Sequence, residues 1–344
     1  MDQMRLGRTN IMASRSGFGA LPIQRNGRED AARILRKAYE EGINFFDTAR
    51  AYTDSEEKIG CALSDVRNHI FIATKSGAKD KKSLLRDLET SLRNLKTDHI
   101  DVYQLHNPAS LPDYEDPDGL YQGLLEAKKK GYVRFIGLTN HRLSLALQAA
   151  RERRYDTIQF PLSSLSSDED LKLVRLCGEN DIGFIAMKGL SGGLITNAAT
   201  TFSFLRQFGN VLPIWGIQRM SELEEFLAYE EHPPVLDEAM RKLIEKDRSE
   251  LAGTFCRGCG YCLPCPAGIP IETAARISLL LTRSPYQGYL TEEFREKMER
   301  INNCVHCNHC KNHCPYGLDT PVLLRQMLKS YNEFYEAHRD VDQA

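Results

Sequence analysis

Residues 100–139, IDVYQLHNPASLPDYEDPDGLYQGLLEAKKKGYVRFIGLT, hold one complete strand–helix–strand unit. IDVYQLH and VRFIGLT are short β-type runs, apolar on both faces, and LYQGLLEAKKKG between them has amphipathic helical spacing. Repetition of such units implies a parallel sheet. Working outward, SGFGAL, INFFDT and IFIATK precede this stretch, and TIQFPL, GFIAMK and VLPIWG follow it, which makes eight strands. Helical patterns such as EDAARILRKAYEEG, KSLLRDLETSLRNL and EDLKLVRLCGEN separate them. Eight units in roughly 215 residues predict a closed α/β (β/α)₈ TIM barrel rather than an open doubly wound sheet. No GxGxxG opens a helix after the first strand, which argues against a Rossmann arrangement. Before the first strand, MRLGRTNIMAS reads as a small hairpin capping the barrel bottom, with Gly7 to Asn10 as its turn.

Composition narrows the function. Among 344 residues, 45 basic side chains nearly cancel 47 acidic ones, so no electrostatic footprint for nucleic acid or an anionic membrane is present. No apolar run of about 18 residues occurs, and MDQMRLGRTNIMASRSGFG lacks a stretch of signal-peptide length. These features predict a cytoplasmic protein working on small molecules, away from membranes. The length suits one barrel over residues 1–232 and a second domain over 233–344, joined by a helical linker after Pro233 and Pro234.

The ten cysteines are distributed unevenly. Cys61 and Cys177 lie in helical patterns amid apolar residues and read as small core residues. The other eight fall between Cys256 and Cys314, and in a chain expected in the cytoplasm such clustering signals metal ligands rather than disulfides. The second run, Cys304-x2-Cys307-x2-Cys310-x3-Cys314-Pro315, has the spacing of bacterial ferredoxins, whose fourth cysteine typically ligates the other cluster. The first run, Cys256-x2-Cys259-x2-Cys262-x2-Cys265-Pro266, is one residue shorter before its last cysteine. The favoured pairing sets Cys256, Cys259, Cys262 and Cys314 round one [4Fe-4S] cluster, and Cys304, Cys307, Cys310 and Cys265 round another. Two Cys₄ zinc sites are the alternative. His306, His309 and His313 read as surface or outer residues, since eight thiolates already complete two clusters. The rest of the tail predicts a mainly α-helical, ferredoxin-like iron–sulfur domain: a helix over ETAARISLLLT, a loop at Ser284-Pro285, a helix over TEEFREKMERI with Thr291 as N-cap, and a final helix over PVLLRQMLKSYNEFYEAH.

Barrels of this type place their active sites at the carboxyl ends of the strands. The second strand ends in Asp47 with Tyr52 five residues on, the third in Lys75 and the fourth in His106. Each alone reads as a helix cap, a core tyrosine, a solvated lysine or a satisfied histidine; four on one rim read as a site. Their order and placement resemble the tetrad of the aldo-keto reductase family. FFDTARAY, the strand-end lysine and YQLH carry the resemblance, which spans residues 4 to about 230. Barrel and cysteine-rich tail together resemble the iron–sulfur branch of that family.

The resemblance implies an oxidoreductase that moves a hydride between NADP(H) or NAD(H) and a small-molecule carbonyl or alcohol. In that reading Tyr52 donates the proton, Lys75 draws its pKa down from near 10, Asp47 fixes Lys75 and His106 orients the carbonyl oxygen. It also implies that Asn140 and Gln159 hold the nicotinamide carboxamide, and that pyrophosphate and adenosine lie over the loops KGLSGG and WGIQRMSELEE. Candidate cofactor contacts in those loops are Lys188, Gly189, Gly192, Gly193, Gly216 and Arg219, the last facing a 2′-phosphate. Three positions depart from the family pattern. Met187 stands where many relatives stack an aromatic residue on nicotinamide, Trp215-Gly216 replaces Pro-Gly or Pro-Lys, and Phe226 replaces a common Asn. The clusters would serve electron transfer, redox sensing or structure, with a redox protein as a candidate partner. A second reading makes the chain an electron-transfer or redox-sensing protein with the barrel as scaffold. Nicotinamide moves two electrons at once whereas a cluster moves one, and no flavin motif joins them.

Overall fold

The computed structural model describes residues 1–251, 255–283 and 286–338, so the Ser284-Pro285 loop lies outside the described residues. Strands β1 (Gln3–Arg5) and β2 (Met12–Ser14) form the expected antiparallel hairpin, with Met4 opposite Ala13. Eight parallel strands then close a barrel: β3 (Gly17–Gly19), β4 (Phe45–Asp47), β5 (Phe71–Ser76), β6 (Ile100–His106), β7 (Val133–Thr139), β8 (Thr157–Pro161), β9 (Gly183–Met187) and β10 (Val211–Gly216). β10 pairs with both β9 and β3, which leaves no open edge. The outer helices are α1 (Arg28–Glu40), α2 (Ser55–Leu63), α3 (Lys81–Leu95), α4 (Leu120–Lys129), α5 (Leu143–Glu152), α6 (Asp168–Glu179), α7 (Ala198–Arg206) and α8 (Met220–Glu231).

The two-residue period of a strand decides what the barrel interior contains. Phe45, Ala73, Val102, Ile185 and Leu212 form its lower apolar layer, sealed from below by Met4, Leu6, Ile11 and Ala13 of the hairpin segment. Two residues further along β4, β5 and β6 the same inward positions are Asp47, Lys75 and Gln104, all buried. The floor is therefore apolar and the next layer polar, the order needed for a site at the strands' carboxyl ends. Cys177 is buried as expected, but Cys61 is exposed. In α2 the buried residues include Glu56, Ile59, Gly60 and Leu63, so Cys61 falls with Glu57 on the outward face.

Two compact units divide the chain: Met1–Gly189 with Ala199–Asp237, and Leu190–Ala198 with Glu238–Ala344. The strip Leu190–Ala198, expected as part of the barrel, thus belongs to the second unit. That unit contains α9 (Glu238–Glu250), α10 (Ile271–Ala274), α11 (Ile277–Arg283), α12 (Glu292–Glu299), α13 (His309–Asn312) and α14 (Thr320–His338). Thr291 caps α12 as its sequence implied, accepting the Phe294 N–H at 3.2 Å. The single helix expected over ETAARISLLLT is instead two, α10 and α11, separated by Ala275 and Arg276. Arg283 draws this unit together by pairing with Asp247 and Glu250 of α9 and donating Nε to the Leu194 carbonyl at 2.8 Å. Among the described residues no helix is long and apolar enough to cross a membrane.

Candidate active site and cluster sites

Lys75 is fully buried and its Nζ donates to Asp47 Oδ1 at 2.6 Å and to the Thr48 carbonyl at 2.7 Å. Burial acts against both charges, pushing the Asp47 carboxyl up and the Lys75 ammonium down, while their mutual attraction opposes each shift. Beside them in the same layer, Gln104 Nε2 donates to Gln159 Oε1 at 2.9 Å, and Thr139 Oγ1 donates to Gln104 Oε1 at 2.9 Å. Gln159 Nε2 lies 3.4 Å from Asp47 Oδ1. The pair thus sits against a buried amide and hydroxyl network that fixes the carboxylate.

Tyr52 enters from the turn between β4 and α2. Arg50 N–H donates to the Lys75 carbonyl at 3.0 Å, which pins that turn to β5. The Arg50 side chain pairs with buried Glu56, and Glu56 also accepts from Thr74 Oγ1 and Ser91 Oγ, each at 2.7 Å. The Tyr52 ring lies 5.2 Å from Lys75 Nζ and meets His106 edge-on with centroids 5.9 Å apart. The four rim residues therefore converge, with Tyr52 and His106 partly accessible above a buried ion pair. One expectation changes. Desolvation first, and then the Asp47 charge, hold the Tyr52 phenol above its ordinary value rather than below it. Tyr52 is held as the protonated phenol, the form that donates.

Sequence reasoning missed Arg50, Glu56, Gln104 and Thr139, although Gln104 stands two residues before His106 in YQLH and so shares its inward face. It also missed His141, buried beside the rim. Burial first, then Lys188 and His106, keep His141 well below the usual histidine range. That places the Lys188 charge near the rim as well.

The remaining cofactor candidates are arranged unevenly. Asn140 donates Nδ2 to the Pro108 carbonyl at 2.9 Å and accepts from Arg142 N–H at 2.7 Å, while Gln159 is turned into the network under Asp47. Gly189 lies against the Trp215 ring, where an added Cβ would be only 2.6 Å from a ring carbon. Gly216 is exposed at the end of β10. Arg219 immediately precedes α8, is exposed, and donates Nε and Nη2 to Glu222 at 3.0 and 2.7 Å. Gly192 and Gly193 belong to the second unit.

In that unit the eight clustered thiols ring two cavities. Cys256, Cys259, Cys262 and Cys314 line one of about 350 Å³, counting space open to solvent, together with Arg257 and Tyr316. Cys265, Cys304, Cys307 and Cys310 line another of about 360 Å³, which Cys262 also borders. Each cavity is thus walled by one of the quartets paired from the spacing. Among the described residues no three His, Cys, Asp or Glu side chains are grouped to hold a single metal ion. Four thiols spread round a cavity suit a polynuclear cluster better than one tetrahedral zinc ion. Burial and neighbouring thiols push Cys262 up to about 12 and also raise Cys256.

Residues 16–203, more than half of the chain, match the Aldo/keto reductase family. The chain belongs to the aldo/keto reductase family. Residues 255–319 match the 4Fe-4S dicluster domain. The oxidoreductase YqkF of Bacillus subtilis is 29% identical over 212 residues, covering 57% of this chain and 67% of YqkF. In fold, this aldo/keto reductase resembles one from Bacillus halodurans, with a TM-score of 0.63 and 21% identity over 72% of this chain and 96% of that one. It also resembles an enzyme from Klebsiella pneumoniae solved with NADP and acetate, with a TM-score of 0.62 and 20% identity over 71% and 94% of the two chains.

Two of the three departures from the family pattern form one packing unit in this aldo/keto reductase. Trp215 alternates with inward Ile214 and so faces the outer helices, where its ring stacks on Phe226 with centroids 4.3 Å apart. Its Nε1 donates to Ser16 Oγ at 2.9 Å. Met187 faces inward and joins the apolar lining.

His106 adds a pH signature. Burial and the Lys75 charge lower its pKa from 6.5 to about 3. Between those values the unfolded chain takes up a proton that the folded one refuses, so stability falls as pH drops from 6.5 toward 3. His106→Gln is expected to flatten that loss, measured as the denaturation midpoint across the window; an unchanged slope would refute the assignment.

Proposed function

We propose that this aldo/keto reductase is an NADP(H)-dependent carbonyl reductase or alcohol dehydrogenase whose tail carries two [4Fe-4S] clusters. The observation carrying the reading is the convergence of the Tyr52 phenol and the His106 ring above the buried Lys75–Asp47 pair. The nicotinamide, when bound, supplies or accepts the hydride. Tyr52 Oη donates a proton to the substrate oxygen as negative charge develops there. Lys75 contributes positive charge beneath the phenol, and Asp47 holds it in place. Neutral His106 gives the carbonyl oxygen a directional hydrogen bond and leaves that oxygen's protonation to Tyr52.

For the dinucleotide, exposed Gly216 and Arg219 at the α8 N-terminus offer a main-chain approach and a guanidinium, the groups that receive a phosphate. Lys188 adds a charge near the rim, and Asn140 keeps one amide hydrogen uncommitted for the carboxamide. The NADP in the Klebsiella pneumoniae relative supports the phosphorylated cofactor. Eight clustered thiolate ligands suit a reducing compartment, the cytoplasm. Substrates are small carbonyls or alcohols, and any redox partner meets the tail.

The test is anaerobic mixing of the purified chain with NADPH and a panel of aldehydes and ketones. The expected result is carbonyl-dependent loss of NADPH absorbance; no turnover with any carbonyl, in a chain that binds NADPH, would defeat the reading. The cluster assignment is checked separately. Cys314→Ser and Cys265→Ser are each expected to lower iron from about eight to about four per chain, because each removes a ligand from a different cubane. Zinc without sulfide in the unaltered protein would replace clusters with zinc sites.

A further inference from the structure

Arg276 occupies the break between α10 and α11, and two glycines make room for it. Gly192 has φ +70°, and a Cβ there would lie 2.7 Å from Arg276 Nη1. Gly258 has φ +58°, and a Cβ there would lie 2.9 Å from the guanidinium carbon. One glycine belongs to the strip Leu190–Ala198; the other lies between Cys256 and Cys259. Arg276 Nη1 donates to the Gly192 carbonyl at 2.7 Å, and Nε donates to the Glu272 carbonyl at 3.0 Å. Both hydrogen bonds go to main-chain carbonyls, so neither neutralises the cation. Burial penalises the charge, and Cys256 heads the groups that favour it, ahead of Tyr289 and Glu272. Arg276 stands behind the wall of the first cavity, at Gly258 and next to lining Ala275, and Arg257 lines that cavity directly.

We propose that Arg276 is a positioning residue joining the cluster of Cys256, Cys259, Cys262 and Cys314 to the strip Leu190–Ala198. Its charge raises that cluster's reduction potential, and its Nη1 fixes the strip through Gly192. The proposal rests on the reading that these four thiols hold a [4Fe-4S] cluster. A cubane on four thiolates is anionic and becomes more so on reduction, so a buried cation favours the reduced form. The second quartet is bordered by a different guanidinium, Arg300, which donates to the Gly268 carbonyl at 3.3 Å, so a change at Arg276 acts on the first cluster alone.

The experiment compares Arg276→Gln and Arg276→Lys with the unaltered full chain, purified anaerobically. Iron and sulfide are measured first; their absence from the unaltered chain would defeat the cluster reading itself rather than this inference. Redox titration followed by electron paramagnetic resonance should then resolve two one-electron waves. Arg276→Gln is expected to disfavour reduction in one wave by about tenfold, about 59 mV for a one-electron couple, with the other wave still. Arg276→Lys keeps the charge and should leave both in place. Neither replacement spans the two carbonyls, so amide hydrogen exchange over Leu190–Ala198 should rise in both. A first cluster that loads in Arg276→Lys but not in Arg276→Gln would also support a required charge. The proposal is overturned if Arg276→Gln moves neither wave, if both waves move together, if the strip's exchange is unchanged, or if neither variant loads iron.

Discussion

Tyr52→Phe is expected to slow carbonyl reduction by a factor of about 10² to 10⁴, the usual contribution of a positioned acid, while NADP(H) binding persists. The substitution removes one oxygen and keeps the ring, so the edge contact with His106 and the approach of Lys75 Nζ survive. What disappears is the proton. No neighbour replaces it readily: His106, with a pKa near 3, is neutral at working pH, and Lys75 is committed to Asp47 and the Thr48 carbonyl. Steady-state NADPH oxidation gives the rate, and cofactor fluorescence titration gives the binding. Turnover near that of the unaltered enzyme would remove Tyr52 from the chemistry.

The second large effect is on stability. Asp47→Asn leaves the Lys75 ammonium buried without its counter-charge, and breaking such a pair from one side costs about 3–5 kcal/mol. Combining it with Lys75→Met removes both charges and is expected to restore much of the loss, since neutral replacement of a buried pair is often close to neutral overall. Trp215 is the single tryptophan and is buried in the barrel unit, so its fluorescence reports denaturation there. A double variant no more stable than Asp47→Asn alone would show that the surrounding amide network, rather than the unpaired ammonium, sets the penalty.

The barrel was legible because its strands need apolar residues on both faces, a local property of INFFDT, IFIATK and their counterparts. Asp47 and His106 were legible for the same reason: once Phe45 and Val102 face inward, they follow by the two-residue step, and so does Gln104, which went unread. The two cysteine runs that line the cavities were readable from their spacing. Other features depend on partners distant in the chain. Gln159 shares its amide with Gln104 and Asp47, and Arg219 pairs with Glu222 one turn on, partnerships that reading each loop by itself does not announce. Trp215 and Phe226 read as two unrelated departures and turn out to be one stack. The membership of Leu190–Ala198 in the second unit depends on Arg276 and Arg283, more than 75 residues later, which no local pattern announces.

The crossing of the cysteine quartets also bears on biosynthesis. As the chain leaves the ribosome, Cys256, Cys259 and Cys262 emerge some fifty residues before Cys314, the fourth thiol at their cavity. Cys265 likewise waits for Cys304, Cys307 and Cys310. On the proposed pairing neither cubane can be completed on a nascent tail, and iron delivery follows the synthesis of Cys314. A ribosome stalled between the two runs would expose four reduced thiols with no cluster to protect them.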